Sequence, residues 1–598
     1  MVNHELKSYV RDRILPGVLT PAQYLGGELN SLAQDHSQCR GTVCLAFPDA
    51  YALGMSHHGL QVLYSLMNDQ GWACERAFAP LPDFEQALRN HGKPLYSLET
   101  FTPLNRFDLL GFSLQYEITY TNILTMLDLG GIPLHAEDRG DEDTLVIAGG
   151  PGVQNPEPVA DFIDLFVIGD GEPSLPVVAE LWTSMKGSGL SRGEKLARIA
   201  REAPWAYVPR FYRPIYDEVS GVQVGIERLR DDVPETIRPC VINCLDSTPL
   251  PVRPIVPFVE TAHDRIAIEI MRGCPWQCRF CQSTVIKRPL RYRTVETIVS
   301  AALESYRNTG YDEISLLSLS TSDYPKFEEL VTRMSEVFTP LGVKISLPSL
   351  RITETLKKIP ALLEEGRRGG LTLAPEVARD DMRDQIRKPI NNQDLYDGAA
   401  EAFRRGWKRV KLYFMCGLPG ERPADLDGIV DMAETIARIG KDVTGRFAEV
   451  TASVSNFVPK PHTPYQWNGI QDREYFRWAH KYLKSRVRIR SVTIKAHDIE
   501  RSLLEGILTR GDRRITPAIE EAWRRGARLD AWGEYFDAGR WWSVFDDLGI
   551  DVPFYSHRER PVDEFLAWDH ILIKYGRDYL AKEQNRSAVQ LEAMASAV

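Results

Sequence analysis

Long apolar runs, a signal-peptide core and a large number of cysteines are all missing from this sequence. No uninterrupted apolar run approaches the roughly 20 residues that cross a membrane as a helix. The first residues are charged and contain no apolar stretch of the secretory type. Nine cysteines among 598 residues are too few for a disulfide scaffold and fit a reducing compartment. We therefore expect a soluble, cytoplasmic protein.

The chain also lacks an excess of positive charge. It carries 72 lysines and arginines against 82 aspartates and glutamates, so its formal net charge is −10. Because nucleic acid presents a dense row of phosphates, an acidic chain is a poor non-specific partner for it. A local basic groove would still accept RNA, so an RNA substrate is disfavoured but stays open.

Three of the nine cysteines lie on one short loop, MRGCPWQCRFCQ, from Met271 to Gln282. Cys274, Cys278 and Cys281 follow the spacing Cys-x-x-x-Cys-x-x-Cys. Most iron–sulfur clusters take four cysteines, whereas three thiolates leave one iron of a 4Fe–4S cube open to another ligand. A zinc site is the alternative, but structural zinc needs a fourth ligand, and the nearest candidate is His263 upstream.

This loop, including Phe280 between its last two cysteines, resembles the fingerprint of the radical SAM superfamily. The resemblance implies that Cys274, Cys278 and Cys281 hold a 4Fe–4S cluster whose open iron binds S-adenosylmethionine (SAM). One electron then cleaves SAM to a 5′-deoxyadenosyl radical. The resemblance therefore also implies a reducing partner such as flavodoxin or ferredoxin, and it places Phe280 among the cofactor-binding residues.

Residues 256–490 predict six strands with helices between them. The predicted strands are Arg265–Ile270, Ile314–Leu319, Lys344–Leu350, Gly370–Ala374, Val410–Met415 and Phe447–Val454. A six-strand partial β/α barrel, that is, a partial TIM barrel, is the fold that the resemblance implies. Barrels of this kind carry their chemistry on the loops that follow the strands.

The loops after strands two to five supply candidate SAM contacts. The resemblance implies that strand two ends near the SAM amino group, strand four near the ribose hydroxyls and strand five near the adenine edge. Arg351 after strand three could pair a carboxylate with two parallel hydrogen bonds. A surface ion pair for Arg351 and a helix N-terminal charge for Glu376 are the alternatives. The candidates are Ser318, Asp323, Ser346, Arg351, Glu376, Gly417 and Glu421.

Residues 41–185 predict a doubly wound domain, in which buried strands alternate with helices. The strands are predicted at Thr42–Phe47, Leu109–Ser113, Thr144–Ala148 and Leu165–Ile168. Ligands of such parallel sheets bind at the carboxyl ends of the strands, where glycine lets the backbone approach a ligand. The alternative is that the glycines only turn the chain. The candidates at these ends are Ser113, Gln115, Gly149, Gly150 and Gly169.

This segment resembles the cobalamin-binding domain that precedes the radical core in one large class of radical SAM enzymes. The stretches that carry the likeness are Ser113–Asn122, Ala148–Gly152 and Val167–Glu172. The resemblance implies cobalamin as a further cofactor. Many such domains ligate cobalt through the histidine of Asp-x-His-x-x-Gly, but the comparable turn here, Gly54–Gly59, lacks that motif. We therefore interpret His57 and His58 as loop or cap histidines.

More specifically, the chain resembles a family of uncharacterised radical SAM proteins with a cobalamin-type domain. The stretches that carry this likeness are Tyr24–Asn30, Ala46–Asp49 and Gly54–Ser56. The resemblance extends over most of the chain. It indicates the cofactors more directly than the substrate, and no residue is assigned a catalytic role.

Three further regions complete the predicted layout: an N-terminal extension over residues 1–40, a connector over 186–255 and a helical region over 491–598. Five of the 12 tryptophans lie beyond residue 520. This density favours helices over the barrel mouth, either as a substrate lid or as a plain helical cap. We expect the tail from Ala581 to be frayed. The predicted fold class is α/β, with a doubly wound sheet, a partial barrel and a helical C-terminal region.

The function predicted from the sequence is that of a radical SAM enzyme. The favoured subtype is a cobalamin-dependent methyltransferase that acts on an unreactive carbon of an unknown substrate, since the cofactors carry that chemistry and the protein orients it. One alternative discards cobalamin and covers hydrogen abstraction, rearrangement and methylthiolation of RNA or protein. The other is a non-catalytic Fe–S electron-transfer or assembly protein, which the open iron disfavours.

Overall fold

The computed structural model describes residues 2–348, 351 and 370–596. The first third of the chain forms one six-stranded sheet. Its strands are β1 Thr42–Phe47, β2 Ala73–Phe78, β3 Leu109–Ser113, β4 Leu145–Gly149, β5 Leu165–Val167 and β6 Ala206–Tyr207. They lie in the order β2-β1-β3-β4-β5-β6, with the first five parallel and β6 antiparallel at the edge.

Helices cover this sheet because apolar residues recur on one side of each of them. They are α1 His4–Tyr9, α2 Tyr51–Gly54, α3 His58–Asp69, α4 Pro82–His91, α5 Tyr120–Leu129, α6 Gly171–Ser184 and α7 Arg192–Glu202. In α3 the buried residues include Leu60, Tyr64 and Met67. The predicted doubly wound domain is thereby confirmed.

Strand β2 is a strand that the sequence pattern did not predict. Glu75 and Arg76 interrupt its apolar residues, yet both side chains are buried in the sheet. The guanidinium of Arg76 pairs with Glu99 at 2.6 Å and with Glu28 of the N-terminal extension at 3.0 Å. Partners from two other segments therefore allow two charged residues to occupy a buried strand.

The connector contains a two-stranded antiparallel hairpin, β7 Tyr212–Tyr216 and β8 Gln223–Arg228. Beyond the hairpin the chain returns to the first sheet at Cys240. There the N–H of Cys240 donates to the carbonyl of Ile168 at 2.8 Å, and the N–H of Asp170 donates to the carbonyl of Cys240 at 2.8 Å. The connector thus supports the loop that follows β5.

The middle of the chain forms the predicted partial barrel. Its strands are β9 Ile266–Glu269, β10 Met271–Arg272, β11 Arg291–Tyr292, β12 Glu313–Leu317, β13 Lys344–Ser346, β14 Gly370–Glu376, β15 Arg409–Cys416, β16 Glu449–Asn456 and β17 Val492–Ala496. Parallel pairing gives the sheets β13-β12-β9 and β14-β15-β16-β17, while β10 and β11 form a separate antiparallel pair. The described residues contain no closed barrel.

Two details of the six predicted barrel strands need comment. Among the described residues, strand β17 is a seventh parallel strand, and it lies just beyond residue 490, where the predicted barrel ends. Its buried Val492 and Ile494 alternate with exposed Thr493 and Lys495, the pattern of a short half-buried edge strand. The last two residues of the predicted third strand, Ser349 and Leu350, lie outside the described residues.

The helices of this region alternate with its strands. They are α8 Ser283–Ile286, α9 Val295–Thr309, α10 Phe327–Phe338, α11 Asp380–Gln385, α12 Asn392–Arg404, α13 Pro423–Thr444 and α14 Arg473–Arg486. Thr294 caps α9 by accepting a hydrogen bond from the N–H of Thr297 at 3.2 Å, as its residue type predicts. The buried face of α9 includes Val295, Ile298 and Ala302.

The C-terminal region is helical, as predicted. Its helices are α15 Ile499–Arg510, α16 Thr516–Arg524, α17 Ala538–Asp547, α18 Val552–Ser556 and α19 Gly576–Ser596. Helices α16 and α17 place Trp523, Trp541 and Phe545 in the same apolar core as the first sheet. Among the described helices, none is both long and apolar enough to cross a membrane.

The predicted frayed tail is wrong. Residues from Ala581 onward continue α19, in which Glu583 and Ser587 are buried. Ser587 accepts a hydrogen bond of 2.5 Å from the amide of Gln385, and Leu580 is buried beside Trp568. Tertiary contacts therefore order a segment whose own sequence is mostly polar.

Candidate functional site

A cavity of about 640 Å³ lies between the first sheet and the barrel strands β9 and β12. One wall comes from the loops after β3, β4 and β5 and carries the predicted residues Ser113, Gln115, Gly149, Gly150 and Gly169. The other wall contains residues after β9 and β12, among them Arg272, Lys287 and Ser318. The volume of the cavity lies within the roughly 300–1,000 Å³ range of small-molecule sites.

Backbone forms much of the first wall. Gly150 has φ 106°, and a Cβ atom there would lie 2.5 Å from the carbonyl oxygen of Leu114. Gly169 has φ 110°, and its Cβ would lie 2.1 Å from the carbonyl oxygen of Cys240. Only glycine fits both positions, so these two strand ends present bare peptide groups to the cavity.

Polar side chains of the first wall are bonded to one another or to the backbone. The amide of Gln115 donates to Ser113 Oγ at 2.9 Å. His57 is the N-cap of α3 and accepts a hydrogen bond from the N–H of Leu60 through Nδ1 at 3.1 Å. This confirms the interpretation of His57 as a cap histidine. Burial lowers the pKa of His57 to about 4, so its ring is neutral.

His58 also lines the cavity, next to His57. Its Nε2 atom is buried and has no hydrogen-bond partner among the described residues. Burial lowers the pKa of His58, which therefore carries no charge near neutral pH.

The second wall is organised around Arg272, the last residue of β10. Its guanidinium pairs with Glu269 at 2.8 Å, with Asp170 at 2.9 Å and with Glu172 at 2.6 Å. Asp170 is also paired with Arg291 at 2.6 Å. Asp170 and Glu172 belong to the first domain, whereas the two arginines belong to the barrel. The half-buried ionic cluster therefore joins the domains beside the cavity.

Lys287 is a cavity residue that the sequence reasoning missed. It follows α8, and burial lowers the pKa of its ammonium group. Within the described parts of the chain, no carboxylate lies at ion-pair distance from it. No motif marks Lys287, and its only signal in the sequence is its position six residues after Cys281.

The three predicted cluster ligands lie together on the loop between β10 and α8. Cys274 and Cys278 are buried, Cys281 is half-buried, and none of the three forms a disulfide. The N–H of Cys281 donates to the carbonyl of Cys278 at 3.1 Å and turns the loop. Burial raises the pKa of all three thiols, that of Cys281 to about 12.

Positive side chains surround these thiols. Arg351 lies beside Cys278 and stacks on Trp276, with its guanidinium carbon 3.7 Å from the ring centroid. The indole N–H of Trp276 donates to Asp323 at 2.6 Å. Asp323 and Arg351 therefore both hold the cysteine loop, and the buried Nε of Arg351 has no partner among the described residues.

Glu376 at the end of β14 has φ 65° and accepts from Lys388 at 2.8 Å. The Lys388 ammonium lowers the pKa of the Cys278 thiol, although burial, the larger effect, raises it. Soft thiol donors with cations nearby suit an anionic iron–sulfur cluster. A cube takes one thiolate per iron, and the described residues contain no His, Cys, Asp and Glu group arranged for a single ion.

The remaining SAM candidates lie in different surroundings near the cysteine loop. Ser318 lines the cavity, with its hydroxyl 3.0 Å from that of Thr321, and Ser346 is buried at the end of β13. Phe280 packs on the apolar cluster that includes Leu418 and Phe457. The structure thus brings four candidates around the cysteines: Phe280, Asp323, Arg351 and Glu376. The candidates of the first sheet, from Ser113 to Gly169 in chain order, lie on the opposite wall of the cavity.

Glu421 closes its own loop. It accepts hydrogen bonds from the N–H of Gly417 at 2.8 Å and from the hydroxyl of Tyr475. Burial raises the pKa of Glu421 to about 7. Its carboxylate is therefore engaged by protein groups, while the backbone of Gly417 forms the turn.

Two family models match the chain. The model for radical SAM proteins, N-terminal, covers residues 59–209, and the model for the radical SAM superfamily covers residues 268–433. The uncharacterised protein MJ0966 of Methanocaldococcus jannaschii is 26% identical over 466 residues, which are 75% of this chain and 90% of that protein. The ribosomal protein uS12 methylthiotransferase RimO of Gloeothece citriformis is 24% identical over 35% of this chain and 47% of its own length.

Two solved structures are also similar. TsrM, a radical S-adenosylmethionine methyltransferase from Kitasatospora setae with cobalamin and a [4Fe-4S] cluster bound, gives a TM-score of 0.49 at 13% identity, over 81% of this chain and 99% of that one. OxsB, a cobalamin-dependent radical enzyme with aqua-cobalamin and SAM bound, gives 0.43 at 12% identity, over 93% of this chain and 80% of that one. The matched families, with the cysteine loop inside the second match, show that this chain is an enzyme of the radical SAM superfamily, with a 4Fe–4S cluster and SAM as cofactors.

Proposed function

We propose that this enzyme is a cobalamin-dependent methyltransferase that acts on an unreactive carbon. One observation carries the proposal: a single cavity of about 640 Å³ is bordered by the glycine strand ends of the first sheet and by the barrel strand ends next to the cysteine loop. A cofactor against the first wall would therefore share one cavity with a substrate and SAM.

The residues of the first wall suit cobalamin. Gly150 and Gly169 leave peptide groups without side chains, so a broad, flat ring can lie against them. His57 uses Nδ1 to cap α3 and is neutral, which supports binding without a cobalt ligand from this residue. When bound, cobalamin supplies a methyl group, while the cluster and SAM supply the radical that activates the substrate carbon.

The barrel residues hold and orient the SAM side. Cys274, Cys278 and Cys281 would bind the cluster, and Arg351 and Lys388 place positive charge beside its thiolates. We assign the SAM contacts to the ends of β12, β13 and β14, because Ser318, Ser346 and Glu376 lie there. For the loop after β15 the proposed contact is the backbone of Gly417, because protein donors already engage Glu421.

The test begins with anaerobically reconstituted enzyme, with and without hydroxocobalamin. We expect the protein to retain corrinoid after gel filtration and to form S-adenosylhomocysteine from SAM only in its presence. Formation of 5′-deoxyadenosine should require only the cluster, SAM and a reductant. SAM with a deuterated methyl group, incubated with a metabolite extract, should then label a product detectable by mass spectrometry.

Three results would contradict the proposal. Protein that retains no corrinoid, or S-adenosylhomocysteine formation that is independent of cobalamin, would favour a cobalamin-independent radical reaction. A product that gains sulfur together with the methyl group would identify methylthiolation instead.

A further inference from the structure

The outer side of the cysteine loop borders a second, shallow depression of about 570 Å³. Its lining shares no residue with that of the cavity between the domains. Four loop residues form part of it, namely Pro275, Trp276, Gln277 and Arg279. The loop that carries the cluster ligands is therefore itself exposed to a partner approaching this side.

Arginines dominate the depression. Glu583 of α19, only 1% exposed, is paired with Arg279 at 3.4 Å, Arg387 at 2.8 Å and Arg586 at 2.7 Å. One carboxylate thus faces three guanidinium groups. Arg383 and Asp384 also line the depression, which therefore contains four arginines and two acidic residues. Its local charge is positive, although the net charge of the whole chain is −10.

We propose that this arginine face, defined by the exposed Arg387 and Arg586 above the buried Arg279 and Arg383, docks an acidic one-electron carrier protein that reduces the cluster. Radical SAM chemistry requires one electron for each SAM that is cleaved. In the proposed step the reduced carrier loses one electron and the cluster gains it, and no covalent bond of the protein changes.

The shape and composition of the surface favour a protein over a small anion. Arg387 is 36% and Arg586 57% exposed, and Val589, one turn further along α19, is 65% exposed. A basic surface with an apolar residue beside it suits the acidic rim of a protein carrier, because complementary charges steer encounter. Nucleic acid would require a longer basic track than this.

Helix α19 makes the arginine face rigid. Arg279 donates to the carbonyl of Gln385 at 2.6 Å and to Gln590 of α19 at 2.5 Å, which ties the helix to the cysteine loop. Leu591 packs over Gly420 in the loop after β15. A carrier bound to α19 is therefore held at a fixed position relative to the cluster loop.

The experiment uses the reconstituted holoenzyme and measures 5′-deoxyadenosine formation with two reductants. Reduced acidic flavodoxin needs a docking site, whereas dithionite does not. The test variant is Arg586→Glu, at an exposed arginine of α19 that pairs along its own helix with Glu583. The matched control is Arg524→Glu, an exposed arginine of α16 that also pairs along its own helix, with Glu520. Gel filtration and iron content verify that each variant is folded and loaded.

We expect the test variant to lose about tenfold or more of its flavodoxin-driven rate, mostly through a higher KM for flavodoxin. Its dithionite-driven rate should match that of the wild type, and added salt should weaken only the flavodoxin-driven reaction of the wild type. The control should resemble the wild type with both reductants.

Three outcomes would overturn the proposal. Equal losses with both reductants would mean that the arginines only support the cluster loop. An unchanged flavodoxin-driven rate would place docking elsewhere. An equal loss in the Arg524→Glu control would mean that net charge alone, and not this surface, determines the rate. Each result is independent of cobalamin and of methyl transfer.

Discussion

The two walls of the cavity are built in different ways. The first wall exposes backbone, since Gly150 and Gly169 exclude any side chain. The second wall is organised around Arg272, whose charge is neutralised by Asp170, Glu172 and Glu269. Peptide groups without side chains let a flat ligand lie close to the backbone. The ion pairs of Arg272, by contrast, hold the first domain and the barrel at a fixed distance. The first wall is thus suited to binding, and the second to positioning.

Not every polar side chain at the end of a barrel strand is available to bind a ligand. Asp323, Glu376 and Glu421 all follow barrel strands, where the superfamily resemblance places SAM contacts. Yet their carboxylates accept hydrogen bonds or ion pairs from Trp276, Lys388 and Tyr475. A position after a barrel strand therefore identifies a functional loop, but it does not tell which polar atoms are free for the ligand.

The largest expected effect concerns the cysteine loop. Cys281→Ala removes one thiolate and leaves an iron without its protein ligand, so SAM cleavage should fall by about three orders of magnitude or more. Anaerobic reconstitution followed by iron and sulfide analysis and a 5′-deoxyadenosine assay measures the loss. Cys244→Ala, at an exposed cysteine of the connector, is the control. A Cys281→Ala enzyme with a full cluster and wild-type cleavage would disprove the ligand assignment.

The next effect tests the positioning wall. Arg272→Met leaves the half-buried Glu269 and Glu172 without their partner, so the free energy of unfolding should fall by about 2–4 kcal/mol. Denaturant unfolding, followed by fluorescence and circular dichroism, measures it. The exposed pair of Arg213 and Glu227 gives a control, because Arg213→Met should change stability by less than about 1 kcal/mol. Similar changes in the two variants would contradict the domain-joining role of Arg272.

A smaller effect tests the binding wall. Gly149 ends β4, and a Cβ there would have only the carbonyl of Val167 nearby, at 3.8 Å. Gly149→Leu should therefore fold and project its side chain into the cavity. The Kd for cobalamin should rise about tenfold or more, a loss of about 1.4 kcal/mol, as measured by absorbance titration. Gly193→Leu, on α7 and outside the cavity lining, should leave the Kd unchanged; equal Kd values in all three proteins would exclude cobalamin from this wall.

The smallest effect concerns the pH dependence of the loop after β15. Burial raises the pKa of Glu421 from 4.5 to about 7, so the folded state binds this proton more tightly than the unfolded state. The resulting stabilisation is fully present below about pH 4.5 and is lost as the pH rises through 7. Between pH 6 and pH 8 the wild type should therefore lose about 1–2 kcal/mol more stability than Glu421→Gln. Parallel pH profiles of the two proteins would contradict a buried, protonated Glu421.

Local sequence patterns account for most of the fold. Apolar runs such as Thr42–Phe47 predict buried strands because every residue in them can be buried without a partner. Strand β2 could not be predicted in this way, because its Glu75 and Arg76 can be buried only when residues from other segments pair with them. Arg76 is neutralised by Glu28 and Glu99, which are 48 and 23 residues away.

In the candidate site, too, local features could be predicted from the sequence and long-range contacts could not. The cysteine spacing is local, so it could be found from 12 residues of sequence. The contact of Arg272 with Asp170 spans 102 residues, and that of Arg279 with Glu583 spans 304. No periodicity encodes such pairs. Lys287 was missed for a related reason, since only the assembled cavity reveals a lysine without a carboxylate beside it.

The shared core of the first sheet and the C-terminal helices has a consequence for synthesis of the chain. Helix α17, which buries Trp541 and Phe545 in that core, begins 331 residues after β6 ends. At roughly 5–20 residues per second, a ribosome needs about 20–70 s to make that interval. During this time the nascent first domain exposes the apolar surface that α16 and α17 later cover, so its last folding step waits until these two helices have been made.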